Sequence, residues 1–227
     1  LRREGWPVNA KRIHRLCRQE GLKVRRKRRK RRALGQSANA CHLRRAEHKD
    51  QVWCWDFVFA RTTTGTTLKW LSIVDEHTRE CPTLKVSRSI TSEDVIDTLA
   101  ELFAMRGVPQ AIRSDNGPEF VSHAIRDWLK RLGIQTLYIA PGSPWENGFA
   151  ESFHSKLVDE FLTQEEFDRL TTAQKLTASW KDDYNHVRPH SSLGYLTPTE
   201  FAARCSASVR PGASLQQNTD IPQPELS

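Results

Sequence analysis

"QVWCWDFVFA", residues 51–60, decides the fold. In an extended chain Val52, Cys54, Asp56 and Val58 face one way, and Trp53, Trp55, Phe57 and Phe59 face the other. Branched and aromatic residues fill both sets, which predicts a strand covered on both faces at the centre of a sheet. Asp56 is its one charge. A carboxylate inside such a strand loses hydration and must be met by a charge or a hydrogen-bond donor. It is either a strand-end Asp that bonds loop amides or a residue kept there for chemistry.

Working outward, "TTLKWLSIVDE" (66–76) and "ECPTLKVSRS" (80–89) read as two more strands, joined by short polar connections suited to hairpins. "TSEDVIDTLAELFAMRGVP" (91–109) is a helix capped by Thr91 with Asp94 three residues on. Its inward face carries Val95, Leu99, Leu102 and Phe103, and Gly107 and Pro109 end it. "QAIRSDNGPEF" (110–120) is a short strand that breaks at Asn116-Gly117, with Asp115 at its close. "SHAIRDWLKRLG" (122–133) is a helix facing inward through Ile125, Trp128, Leu129 and Leu132. "IQTLYIAP" (134–141) is a fifth strand. A helix then opens in "SPWENGFAESFHSKL" with Ser143 as N-cap, Pro144 at the first position and Glu146 closing a capping box. Phe149, Ala150, Phe153, Leu157 and Phe161 form its apolar arc, bordered by Asn147, Glu151 and His154. Further helices are expected over 172–187 and in "TPTEFAARC" (197–205).

Three strands, helix, strand, helix, strand, then helices predict an α/β fold. An antiparallel triplet continued by a β-α-β crossover gives a mixed five-stranded sheet with helices on both faces. This is the ribonuclease-H-like architecture. It places the strand ending at Asp115 parallel to the sheet and beside the Asp56 strand, and ligands in such sheets bind at strand C-termini.

The charge lies in an arm. Residues 1–50 hold 18 of the 35 Lys and Arg but 4 of the 27 Asp and Glu, and the rest of the chain is mildly acidic. "VNAKRIHRLCRQEGLKV" reads as a helix with Asn9 as N-cap, Ile13, Leu16 and Cys17 on one face, and Gly21 as its stop. Lys11, Arg12, Arg15 and Arg18 lie off that face, as in the recognition helix of an incomplete helix-turn-helix. Arg25, Arg26, Lys27, Arg28 and Arg29 belong to a run with nine basic residues in the ten from Lys23 to Arg32. Such density points to phosphate binding with a steep salt dependence. The expected division is a partial helix-turn-helix and basic arm over 1–32, a linker over 33–50, a catalytic core over 51–204 and a disordered tail over 205–227. Leu1 stands in mid-pattern and Met105 is the one methionine, which reads as a fragment or processed chain.

Five cysteines without a C-x-x-C pair argue against a disulfide scaffold or zinc ribbon and for a reducing compartment. No apolar run approaches a membrane span, and no signal-peptide pattern is present. Asp56, Asp115 and Glu151 instead offer three hard oxygen ligands from two strands and a helix, a donor set suited to two Mg²⁺ ions. Two ions about 3.5–4 Å apart can activate an attacking oxygen and steady the leaving oxygen of a phosphodiester.

Asp56, Asp115 in "SDNGPEF" and Glu151 in "NGFAESFHSKL", with 35 residues between the last two, resemble the acidic triad of the retroviral integrase superfamily. In detail the chain is similar to second-frame products of the bacterial IS-three insertion-sequence transposases. "YNHVRPHSSLGYLTP" (184–198) resembles that family's C-terminal signature, and the basic N-terminal stretch resembles its helix-turn-helix remnant. The resemblance covers about residues 5–202. It implies a DDE polynucleotidyl transferase that cuts DNA beside the element's terminal repeats. The freed 3′-hydroxyl then attacks another phosphodiester, using Mg²⁺ or Mn²⁺ on Asp56, Asp115 and Glu151 as catalytic and metal-ligating residues. Implied partners are element ends and target DNA, further copies of the chain on paired ends, and the first-frame DNA-binding protein, in a cytoplasmic, nucleoid setting without membrane. Asn116, Lys156, Arg188 and His190 are further candidates for DNA contact. A domesticated DNA-binding remnant and a ribonuclease-H-like nuclease are the alternatives.

Overall fold

The computed structural model describes Gly5, Pro7 and residues 9–22, 46–114, 123–138 and 148–208. Asp115, Asn116, the arm residues Arg25, Arg26, Lys27, Arg28 and Arg29, and the capping box of Ser143 and Glu146 lie outside these residues. The chain divides into two units, Leu1–His42 and Leu43–Ser227. In the first, helix α1 (Ala10–Gln19) starts where Asn9 Oδ1 accepts a hydrogen bond from the Lys11 amide at 2.9 Å. Lys11, Arg12, Arg15 and Arg18 are all exposed along it.

The second unit is built on five strands: β1 (Val52–Arg61), β2 (Thr67–Asp75), β3 (Thr83–Ser87), β4 (Ala111–Ser114) and β5 (Gln135–Tyr138). Their order is β3-β2-β1-β4-β5, so the "QVWCWDFVFA" strand is central. The hairpins pair β1–β2 and β2–β3 antiparallel, and the crossovers make β1–β4 and β4–β5 parallel. Helix α2 (Ser92–Arg106) begins on the predicted capping box, in which the Thr91 amide donates to Asp94 Oδ2 at 2.8 Å.

The alternation of β1 feeds two cores. Trp53 and Trp55 join Leu71, Ile73, Leu99 and Leu102 under α2 and α3 (His123–Arg131). Cys54 joins Trp70, Val74, Phe153, Leu157 and Tyr184 under α4 (Gly148–Leu157) and α5 (Leu170–His186). Leu132, expected on the inward face of α3, is 45% exposed, because that helix ends at Arg131 and the chain turns away. A π-helical turn, Val158–Leu162, follows α4 where a plain continuation was expected, and it carries Phe161 into the core.

Both boundaries of the predicted core move. Ala46 is buried, and Asp50 accepts hydrogen bonds from the Trp53 indole at 3.0 Å and from Arg106 at 3.1 Å. Residues 46–50 are therefore part of the core's packing and not linker. At the other end α6 (Pro198–Ser208) continues past residue 204, after a capping box of Thr197 and Glu200. Among the described residues no helix is long and apolar enough to cross a membrane.

Candidate active site

Asp56 sits in mid-β1, paired with Ser72 of β2, and its side chain keeps 19% of its exposure. The Phe57 amide donates to Asp56 Oδ1 at 2.7 Å, which offsets part of the lost hydration. On the other oxygen stands His154 of α4, its Nδ1 3.3 Å from Asp56 Oδ2. His154 Nε2 is in turn 3.0 Å from the Ser72 hydroxyl. Burial pushes the imidazole down to about 4, so at neutral pH it is uncharged and carries one N–H between its two partners, Asp56 and Ser72. The Ser72 hydroxyl also donates to the Asp56 carbonyl at 3.1 Å. The order Ser72, His154, Asp56 imitates a nucleophilic triad. Ser72 is only 2% exposed, which closes its hydroxyl to any substrate. The arrangement orients Asp56 instead.

Glu151 lies in the first turn of α4 and is exposed. Its helix is fixed in rotation by Ala150, Phe153 and Leu157, all buried, with Phe153 held edge-on by Trp180 and Tyr184. Residues three apart share a helix face, so the contact of His154 with Asp56 aligns the face that bears Glu151 along β1. The predicted arc is present with Glu151 and His154 at its border, and Asn147 lies outside the described residues. The role of His154 as the partner of Asp56 went unrecognised in the sequence, although its spacing from Glu151 was the available signal. Among the described residues no three His, Cys, Asp or Glu cluster as a metal site. Asp56 and Glu151 carry hard carboxylate oxygens, the donor type that suits Mg²⁺ or Mn²⁺.

A second group of polar residues gathers around the start of β4. Arg113 pairs with Cys54 in the parallel ladder, and its Nε donates to Glu76 Oε1 at 2.6 Å with both side chains buried. Burial raises the Glu76 carboxyl, with Arg113 acting against it. Asp75 is a turn former. Its Oδ1 accepts from the amides of His77 and Thr78, and its Oδ2 from that of Asp50.

Lys156, Arg188 and His190 line one cavity between α4 and the turn after α5. Arg188 forks bidentately onto Glu160. Lys156 is lowered by burial and by Arg188. His190, whose amide bonds to the Leu196 carbonyl at 2.9 Å, is 6% exposed.

A central strand bearing Asp56, with a carboxylate-bearing helix laid along it, is the frame of a phosphoryl-transferring nuclease or integrase core. Comparison with known proteins agrees. The integrase core domain family matches residues 46–144, and a second integrase core domain family matches residues 132–198. A 31.7 kDa protein of insertion element IS407 from Burkholderia multivorans is 38% identical over 96% of this chain and 77% of its own length. The transposase InsD of insertion element IS2 from Escherichia coli is 31% identical over 87% of this chain and 67% of its own. Of a 39.2 kDa protein of IS476 from Xanthomonas euvesicatoria the chain spans 58%, at 38% identity. Among solved structures, the HTLV-2 integrase catalytic core domain in complex with magnesium matches 70% of this chain and 99% of its own with a TM-score of 0.55, at 15% identity. The BIV integrase core matches with a TM-score of 0.52, over 70% of this chain and 97% of its own, at 22% identity. The chain belongs to the transposases of bacterial insertion elements, in the integrase superfamily, and its second unit has the ribonuclease-H-like fold of integrase catalytic cores.

Proposed function

We propose that the protein cleaves DNA at the ends of a mobile element and joins the freed 3′-hydroxyl to target DNA, with Asp56, Asp115 and Glu151 holding two Mg²⁺ or Mn²⁺ ions. The observation that carries this reading is the seating of α4 across β1, where His154 meets Asp56 one turn from Glu151. Asp115 follows Ser114, the last residue of β4, directly in the chain. Bound there, the ions would supply an activated attacking oxygen and a stabilised leaving oxygen. The chain's own residues do the rest. Asp56 is oriented by His154 and the Phe57 amide, and α4 is held in rotation by its buried aromatic face. The basic positions Lys11, Arg12, Arg15 and Arg18 on α1, together with the run from Arg25 to Arg32, bind DNA. A second copy of the chain on the paired end, and a first-frame DNA-binding partner, complete the assembly in the bacterial cytoplasm.

The test is joining of a pre-cut element end to target DNA by the full chain. Wild-type protein joins in Mg²⁺ or Mn²⁺ and stops in excess EDTA, and Asp115→Asn binds DNA but does not join. Joining by that variant, or joining in EDTA, contradicts the metal mechanism.

A further inference from the structure

The metal chemistry proposed above makes no use of "YNHVR", residues 184–188, yet three side chains of this stretch reach the helix that bears Glu151 or the turn beside it. Tyr184, near the end of α5, is 4% exposed and meets the Phe153 ring of α4 edge-on, with 5.0 Å between ring centres. Arg188 stands four residues on, its amide still bonded to the Asp183 carbonyl at 2.8 Å. Its Nη1 and Nη2 each donate to one carboxylate oxygen of Glu160, in the π-helical turn that continues α4. His186 and Val187, between them, are exposed.

Asn185 serves a different neighbour. Its Oδ1 accepts from the Cys81 amide and its Nδ2 donates to the Cys81 carbonyl, both at 2.9 Å, across 104 positions of the chain. A buried amide bonded through both ends to one backbone residue fixes that residue in place. Cys81 lies on the connection between β2 and β3. On the same connection Arg79, at φ 64° with its amide bonded to the Asp75 carbonyl at 2.9 Å, lays its guanidinium over the Phe149 ring at 3.7 Å. The helix and its continuation are thus held at three levels: Phe149 by Arg79, Phe153 by Tyr184 and Glu160 by Arg188. Glu151 falls between the first two. Two of these holds come from residues 184–188 directly, and the third is tied to them through Cys81.

The sequence marked Arg188 for DNA contact, but both of its terminal nitrogens are engaged by Glu160. An arginine–carboxylate fork fixes direction as well as distance. With side chains 26% and 42% exposed, the pair adds little to stability. What it sets is the bearing of the helix end. We propose that the Tyr184–Arg188 segment is a brace that aims α4, and with it the Glu151 carboxylate, at Asp56, with Arg188 a positioning residue that acts through Glu160. This assignment rests on the strand-transfer function proposed above.

The test compares the full chain with Arg188→Gln, Glu160→Gln and the double variant. Three quantities are measured: single-turnover joining of a pre-cut end, DNA affinity at several salt concentrations, and amide hydrogen exchange without DNA. Each single variant should join about tenfold more slowly or worse, since a misplacement of about 1 Å costs up to about 10²-fold. DNA affinity, its salt dependence and the melting temperature should stay close to wild type. The double variant should be no slower than either single one, because both changes remove the same contact. Exchange over residues 149–162 should quicken in Arg188→Gln while that of β1 does not. A weaker and less salt-dependent DNA complex for Arg188→Gln but not for Glu160→Gln would make Arg188 a phosphate contact and overturn the proposal. Wild-type rates in both single variants, or losses that add in the double one, would overturn it as well. Failure of the wild-type protein to join counts against the proposed function. Exchange then still decides the brace, which unchanged exchange over α4 in Arg188→Gln refutes.

Discussion

Alternate residues of β1 enter two different interiors. On one face Trp53 and Trp55 meet Leu71, Ile73, Val95, Leu99 and Leu102, a layer of hydrocarbon and aromatic rings. On the other, Cys54 and Asp56 meet Ser72, Val74, His154 and, across the parallel ladder, Arg113 with its buried partner Glu76. One strand thus separates an apolar core from a second core that also carries charged groups. Its desolvated polar groups are met by partners, Asp56 by His154 and Glu76 by Arg113.

The comparison is broken most severely on the apolar side. Trp53 is fully buried, and its indole donates to Asp50. Trp53→Ala should lower unfolding free energy in urea by about 3–5 kcal/mol, the usual range for a buried tryptophan. A loss below about 1 kcal/mol would mean that this face is not the scaffold. On the polar side, Arg113→Met should cost nearly as much, about 3 kcal/mol or more, because Glu76 is left buried without its cation. The double change Arg113→Met with Glu76→Gln should recover most of that loss, measured by the same denaturation. A double variant no more stable than the single one would show that packing and not charge sets the cost. His154→Gln should slow strand transfer by about 10–100-fold, the scale for residues that orient a metal-binding carboxylate, with a small change in melting temperature. A fall in stability without a fall in rate would make His154 a packing residue.

The smallest effect is in pH. Burial holds His190 down at about 4, below the ordinary histidine value, so the unfolded chain takes up its proton first. Its contribution to stability is complete above about pH 6.5 and is lost as pH falls toward 4. His190→Gln should therefore flatten the acid side of the stability profile. A parallel shift of the whole curve would contradict this.

Much of this contrast was legible in the sequence. The alternation of "QVWCWDFVFA" marked the central strand and singled out Asp56, and the apolar arc of Ala150, Phe153 and Leu157 set Glu151 at its border. Local patterns were enough there, because strand and helix periods are local properties. What stayed hidden joins residues far apart in the chain. Arg106 reaches Asp50 across 56 positions and thereby pulls residues 46–50 into the core, and Ser72 reaches His154 across 82. No periodicity encodes such pairs. The π-helical turn at Val158–Leu162 was hidden for a related reason, since the placement of Phe161 against Phe167 and Trp180 imposes it.

The central claim is that the polar face is a metal-dependent strand-transfer site with Glu151 as a ligand. Its most direct measurement is single-turnover joining of a pre-cut end in Mg²⁺ by wild-type protein and by Glu151→Gln, with DNA binding measured in parallel. Glu151 is exposed, so the variant should fold and bind DNA as wild type does. Its joining rate should fall by about 10²–10³-fold or more, the scale of removing one group that meets developing charge in a transition state. Joining at the wild-type rate would contradict the account.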